Sequence, residues 1–171
     1  MRNLIVTTIA MTLALSEGAM AATGLPGGAS TLRESYGDWI VNCSTSGQSV
    51  SCAMSQELLQ QTNRRRVLLI ALTPEGTTAK GSLILPLGLA LADGARLSLD
   101  ENTESASFPY RVCTGQGCVV PLTWSEQALQ GLRNGTTLGI VAKADNGKEA
   151  KFSVSLKGFA ASLDRVIELL K

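Results

Sequence analysis

The feature that most constrains this chain is a pair of short alternating runs, Gly37-Asp38-Trp39-Ile40-Val41-Asn42-Cys43 and Ser51-Cys52-Ala53-Met54, each holding one cysteine. Joined at Gly47-Gln48, they read as an antiparallel hairpin. With Ser46 and Ser49 flanking a two-residue loop, counting back sets Thr45 opposite Val50, Ser44 opposite Ser51 and Cys43 opposite Cys52. That register puts the cysteines at a non-hydrogen-bonded pair, where strands approach most closely, so a cross-link is within reach. Gly47 suits the first central position of a type II′ turn, which requires positive φ. Trp39, Val41 and Met54 then share one side of the hairpin and give it an apolar face.

The N-terminus sets the compartment. Met1-Arg2-Asn3 carries one positive charge, Leu4 to Leu15 is apolar, and Ala19-Met20-Ala21 is an A-x-A pattern, so residues 1–21 are expected to be a secretory signal peptide cut after Ala21. The rival reading is an uncleaved anchor, but about a dozen apolar residues are too few for a ~30 Å hydrocarbon core. Later apolar stretches, Val67 to Leu72 and Leu83 to Leu91, are short or broken by Pro86 and Gly88, so no membrane span is expected after cleavage. The mature chain is expected to be periplasmic or secreted, or held at the outer membrane by partners. Residues 22–35, rich in Gly, Ala, Ser and Thr, read as a flexible leader, and residues 36–171 as one domain with a single core.

Net charge is +1, so no global field points to nucleic acid or to an anionic membrane. Arg64-Arg65-Arg66 is the one basic cluster, and no aromatic residues interleave with it, which favours a solvated strand start over a polyanion site. The four cysteines of an exported chain imply two disulfides, and four can pair in three ways. Proximity favours Cys43 with Cys52 and Cys113 with Cys118. A four-thiolate zinc site is the competing reading, but C-x8-C with C-x4-C lacks the tight knuckle spacing of zinc ribbons, and histidine is absent.

Further along, Val67-Leu68-Leu69-Ile70-Ala71-Leu72 is apolar on both alternating sets and reads as a central strand covered on both faces. Ser82 to Leu85 is the next strand, stopped by Pro86. Arg96-Leu97-Ser98-Leu99 alternates cleanly after the Asp93-Gly94 turn. Phe108 to Cys113 and Cys118 to Leu122 form a second hairpin around Thr114-Gly115-Gln116-Gly117. Ser125 to Arg133 is a helix capped by Ser125, with Ala128, Leu129 and Leu132 on one face and Asn134-Gly135 ending it. For the following hairpin, a three-residue Asp145-Asn146-Gly147 loop aligns Ile140 with Phe152 and Leu138 with Val154, burying one coherent face, which a two-residue loop does not. Ser162 to Lys171 carries Leu163, Val166, Ile167 and Leu170 at helical spacing, expected to pack on the sheet. Many short strands and two short helices predict an all-β fold, an antiparallel β-sandwich with one short internal helix and a C-terminal helix; a closed barrel is the alternative.

The Gly37-to-Cys43 run, Leu85-Pro86-Leu87-Gly88-Leu89, Gly117-Cys118, Leu129-Gln130-Gly131-Leu132-Arg133-Asn134-Gly135 and Ser155-Leu156-Lys157-Gly158-Phe159 together resemble the invasion-associated locus B family of exported bacterial proteins. The resemblance spans Tyr36 to about Leu170. It implies an immunoglobulin-like sandwich, a periplasmic, outer-membrane or secreted location, and in some pathogens a part in entering host cells; it carries over no catalytic residues.

The absence of histidine removes Ser-His and Cys-His pairs and histidine metal ligands. Asp100, Glu101 and Glu104 lie in one polar connection without an EF-hand pattern or an aromatic sugar platform. Thr77 and Lys80 resemble a nucleophile with an amine base only superficially, and no C-x-x-C redox motif is present. No catalytic, cofactor or metal residues are therefore expected, and the function expected is that of a non-catalytic envelope interaction module with a protein partner in the envelope or on a host cell. A secreted adhesion or invasion factor and a structural envelope-stability protein are the alternatives.

Overall fold

The computed structural model describes residues 24–100 and 106–171. The expected signal peptide, residues 1–21, lies outside the described residues, as do Glu101 and Glu104. Eleven strands and two helices follow in order: β1 (Thr31–Tyr36), β2 (Trp39–Ser46), β3 (Ser49–Leu59), β4 (Arg66–Glu75), β5 (Thr78–Leu85), β6 (Ala95–Leu99), β7 (Ala106–Phe108), β8 (Val112–Thr114), β9 (Gly117–Trp124), α1 (Glu126–Asn134), β10 (Thr137–Lys143), β11 (Glu149–Ser155) and α2 (Phe159–Leu169). They form two open antiparallel sheets, one ordered β1-β2-β3-β4-β5-β9-β8 and the other β11-β10-β6-β7. Each sheet ends in free edges, so the alternative of a closed barrel is ruled out and the fold is an antiparallel β-sandwich.

Alternation explains the packing. Trp39, Val41 and Cys43 of β2, Cys52 and Met54 of β3, Leu68, Ile70 and Leu72 of β4, Leu83 and Leu85 of β5 and Val120 and Leu122 of β9 all point inward and are buried. From the small sheet Ala95, Leu97, Leu138, Ile140, Ala142 and Val154 meet them, and Phe159, Leu163 and Val166 of α2 close the same core. The first hairpin has the register deduced above, with Cys43 opposite Cys52 and Ser46 opposite Ser49. In the last, Ile140 lies opposite Phe152 and Leu138 opposite Val154, around the three-residue loop.

Four expectations need correction. The segment read as a leader, residues 22–35, is part of the fold where it is described: Leu25 is 3% exposed, and β1 pairs with β2 from Thr31 onward. The reason lies in Leu32, Glu34 and Tyr36, which alternate to one side, where Glu34 meets Arg165 of α2. Second, β4 is not covered on both faces, because Val67, Leu69 and Ala71 are half-buried by neighbours on an otherwise open face. Third, Phe108 to Cys113 is not one strand: Pro109 has no N–H to give a ladder, and the chain crosses there from β7 in the small sheet to β8 in the large one. Fourth, α2 starts at Phe159 rather than Ser162, and its buried stripe is Phe159, Ser162, Leu163 and Val166, leaving Leu170 37% exposed.

Candidate functional site

The two segments that carried most of the family resemblance meet in space. Gly37 and Asp38 form the β1–β2 turn, and the Asp38 amide donates to the Lys157 carbonyl at 3.1 Å. Trp39 is wholly buried, donates its indole N–H to the Ser155 carbonyl at 2.9 Å, and stands edge-on to Phe159 with ring centroids 5.1 Å apart. Gln56 on β3 completes the junction: its Nε2 donates to the same carbonyl at 2.9 Å, and its Oε1 accepts the Ser155 N–H at 3.1 Å. A buried amide thus acts as one rung of ladder between the two sheets, satisfying groups that would otherwise be stranded. Gly158 has φ +88°, and a Cβ there would overlap the Tyr36 carbonyl oxygen, while one on Gly37 would lie 2.6 Å from the Lys157 oxygen. Both positions therefore need glycine for close backbone approach. Gln56 was not singled out from sequence, although its signal was present: it is the polar residue in the inward set Cys52, Met54, Gln56.

The cysteines are joined as Cys43–Cys52 and Cys113–Cys118, with Cα separations of 4.1 and 3.9 Å. Both clips lie in the large sheet, one near each end of its strand order. No free cysteine is present among the described residues.

The candidate catalytic groups are engaged elsewhere. Asp100 Oδ1 accepts from the Thr136 and Thr137 amides at 2.9 Å each and from the Thr136 hydroxyl at 2.6 Å, tying β6 to the α1–β10 connection. Those bonds, the Thr136 hydroxyl first, hold its carboxyl below the usual carboxylate range, so it is ionised and acts as a cap. Lys80 pairs with Glu75 at 2.6 Å across the β4–β5 hairpin, which leaves Thr77 without an amine base. Among the described residues no cluster of three or more His, Cys, Asp or Glu could hold a metal ion. Arg66 pairs with Glu57 at 2.6 Å, and the structure separates it from Arg64, which sits in the tight turn before β4 at φ +58°.

A binding feature does emerge beneath α1. Ser125 caps this helix by accepting from the Ala128 amide at 3.2 Å, and the helix runs beside the end of β6 in the small sheet, its Gly131 facing Leu99. Between them opens a crevice of about 650 Å³ lined by Leu97, Phe108, Trp124, Ala128, Leu132 and Leu138. Trp124 forms its aromatic wall with Phe108, ring centroids 6.2 Å apart. Its buried indole N–H has no hydrogen-bond partner among the described residues. In the sequence alone Trp124 reads as a packing anchor just before the helix; the crevice arises where α1 comes beside β6, β7 and β10, which are distant from one another in sequence. An apolar crevice with two aromatic walls is suited to binding; its lining holds no titratable side chain, and the Ser125 hydroxyl at its rim is engaged in capping α1.

Comparison with known proteins agrees with this architecture. The model of the family described as Invasion associated locus B (IalB) protein matches residues 39–167. Invasion protein B homologues from two strains of Brucella abortus are each 38% identical over 160 residues, covering 92% of this chain and 92% of the relative. Invasion protein B of Bartonella bacilliformis is 35% identical over 154 residues, covering 86% of this chain and 81% of that protein. The crystal structure of invasion associated protein b from Bartonella henselae matches with a TM-score of 0.75 at 26% identity, covering 81% of this chain and 96% of that one. The chain belongs to the invasion associated locus B family.

Proposed function

We propose that this protein is an exported, non-catalytic interaction module of the bacterial envelope, released from a signal peptide over residues 1–21 and working in the periplasm or at the outer membrane through a protein partner. The observation that carries the reading is the crevice under α1. It offers Phe108 and Trp124 as aromatic walls, aliphatic floor residues, and an unpartnered buried indole N–H. A partner's apolar side chain fills such a site. Two disulfides suit an oxidising compartment, and no described helix is long and apolar enough to cross a membrane. The engagement of Asp100 and Lys80 in structural contacts further supports a role without catalysis.

A second reading, a secreted factor aiding adhesion to or invasion of host cells, draws on the names of the relatives, which are called invasion proteins. Cross-linking in living cells with mass spectrometry separates the two. Periplasmic or outer-membrane proteins in the adducts support the envelope module. Host surface proteins captured during co-culture, with no envelope partner, overturn it in favour of the second reading.

A further inference from the structure

The end of the large sheet remote from α1 has a different character. Three connections meet there: residues 60–65 between β3 and β4, Pro86-Leu87 after β5, and the Gly115-Gln116 turn held by the Cys113–Cys118 clip. They surround a concavity of about 580 Å³ whose wall includes Arg65, Arg66, Val67 and Leu87. Around it stand Leu59, Leu87 and Val112, exposed by 37%, 58% and 49%. From Val112 an aliphatic row continues over the outward face, because Val112 pairs with Val119, Val119 with Ile84 and Ile84 with Leu69.

On the β3–β4 side of this apolar surface the unpaired charge is of one sign. Glu57 is spent on Arg66, while Arg64 and Arg65 make no ion pair among the described residues. Their turn is braced: the Arg64 amide donates to the Gln60 carbonyl at 2.9 Å, the Gln60 amide to the Arg65 carbonyl at 2.8 Å, and the Arg65 amide to Asn63 Oδ1 at 3.0 Å. The protein thus holds two uncompensated guanidinium groups at the border of an exposed aliphatic patch. A second copy of this chain would bring like charges together, and a nucleic acid would leave the aliphatic groups exposed with no aromatic ring for its bases. A layer of anionic headgroups over hydrocarbon matches both halves at once.

We propose that this end of the sheet rests on an anionic lipid surface, with Arg64 and Arg65 on the headgroup phosphates and Leu59, Leu87 and Val112 in the acyl boundary. The setting depends on the envelope placement proposed above. The contact itself is measured without cells, so its failure and a failed partner search are separate results.

The test is co-sedimentation of the purified exported chain with vesicles of phosphatidylcholine alone or mixed equally with phosphatidylglycerol. The expected result is binding to the anionic vesicles only, reversed by high salt. Replacing Arg64→Gln and Arg65→Gln together weakens it by roughly twenty-five-fold, at about fivefold per arginine near such a surface. Leu87→Ser with Val112→Ser also weakens it, and Lys80→Gln, an exposed cation at the opposite end of β5, leaves it unchanged. All these side chains are solvent-facing, and unaltered melting temperatures verify that the variants fold. Absence of sedimentation with anionic vesicles, equal binding to both kinds, or insensitivity to the arginine pair overturns the proposal, as does capture of an acidic envelope protein at this end without vesicle binding.

Discussion

Trp39→Ala is the perturbation that bears most directly on how the two sheets are held. Trp39 has no exposed surface, so truncation removes its entire apolar burial and leaves a cavity that the surrounding strands only partly fill. Such losses run to about 3 to 5 kcal/mol for a large aromatic residue. The edge-on contact with Phe159 adds about 0.5 to 1.5 kcal/mol, and the indole hydrogen bond about 1 kcal/mol net. Because the Ser155 carbonyl keeps its second donor, Gln56, no buried acceptor is stranded, and these terms overlap rather than sum. The expected loss is therefore about 4 to 5 kcal/mol. Trp39→Phe keeps most of the ring and should lose about 1 to 2 kcal/mol. Urea unfolding with the disulfides intact, followed by far-UV circular dichroism, measures both from the shift in midpoint at constant slope. A loss below about 2 kcal/mol for Trp39→Ala, or equal losses for the two variants, would refute the reasoning.

Other consequences follow from separate parts of the fold. Gly158→Ala should cost about 2 to 5 kcal/mol through a disfavoured φ and overlap with the Tyr36 carbonyl, whereas Gly147→Ala, with φ +82° but open space, should cost only about 1 to 2 kcal/mol; equal unfolding midpoints would contradict this. Peptide mapping without reduction should recover Cys43 linked to Cys52 and Cys113 to Cys118, each closing a short loop that contributes about 2 to 3 kcal/mol; any long-range pair sinks the hairpin registers. Glu34 is held below the usual carboxylate range, first by its hydrogen bonds from Arg165 and also by one from the Tyr36 hydroxyl. A carboxylate depressed by folding stabilises above its unfolded pKa and loses that contribution as pH falls through its folded one, so melting temperature should hold above about pH 5 and decline below about pH 4. Glu34→Gln should flatten part of that decline, and an unchanged pH profile would show that the β1–α2 contact does not couple to folding.

What was legible in the sequence was chiefly what strict alternation and turn chemistry determine locally. Cys43 opposite Cys52 follows from the loop at Gly47-Gln48, and Ile140 opposite Phe152 from the loop length that keeps one apolar face together, since a one-residue slip would invert every side chain. The Ser125 cap was equally local. Less legible were features that depend on distant strands. The outward set Val67, Leu69 and Ala71 looks like core because nothing in a single strand reveals whether its second face is covered. The passage from β7 to β8 was hidden because Phe108 to Cys113 has strand composition on both sides of Pro109. β1 was hidden behind the small residues that precede it, and the Arg165 partner of its Glu34 lies far along the chain. Gln56 and Trp124 gained their meaning only when Ser155 and α1 were set beside them.

The proposed role requires the crevice beneath α1 to receive an envelope protein. The measurement that tests it most directly is site-specific photo-cross-linking in living cells, with the reactive group at Gln127 on the crevice wall or at Ser153 on β11 as the control position. Gln127 is expected to yield an adduct with a periplasmic or outer-membrane protein and Ser153 none, and Ala128→Glu in the crevice wall is expected to abolish the adduct in a chain that still unfolds cooperatively. Equal labelling from both positions, or an adduct indifferent to Ala128→Glu, would contradict it.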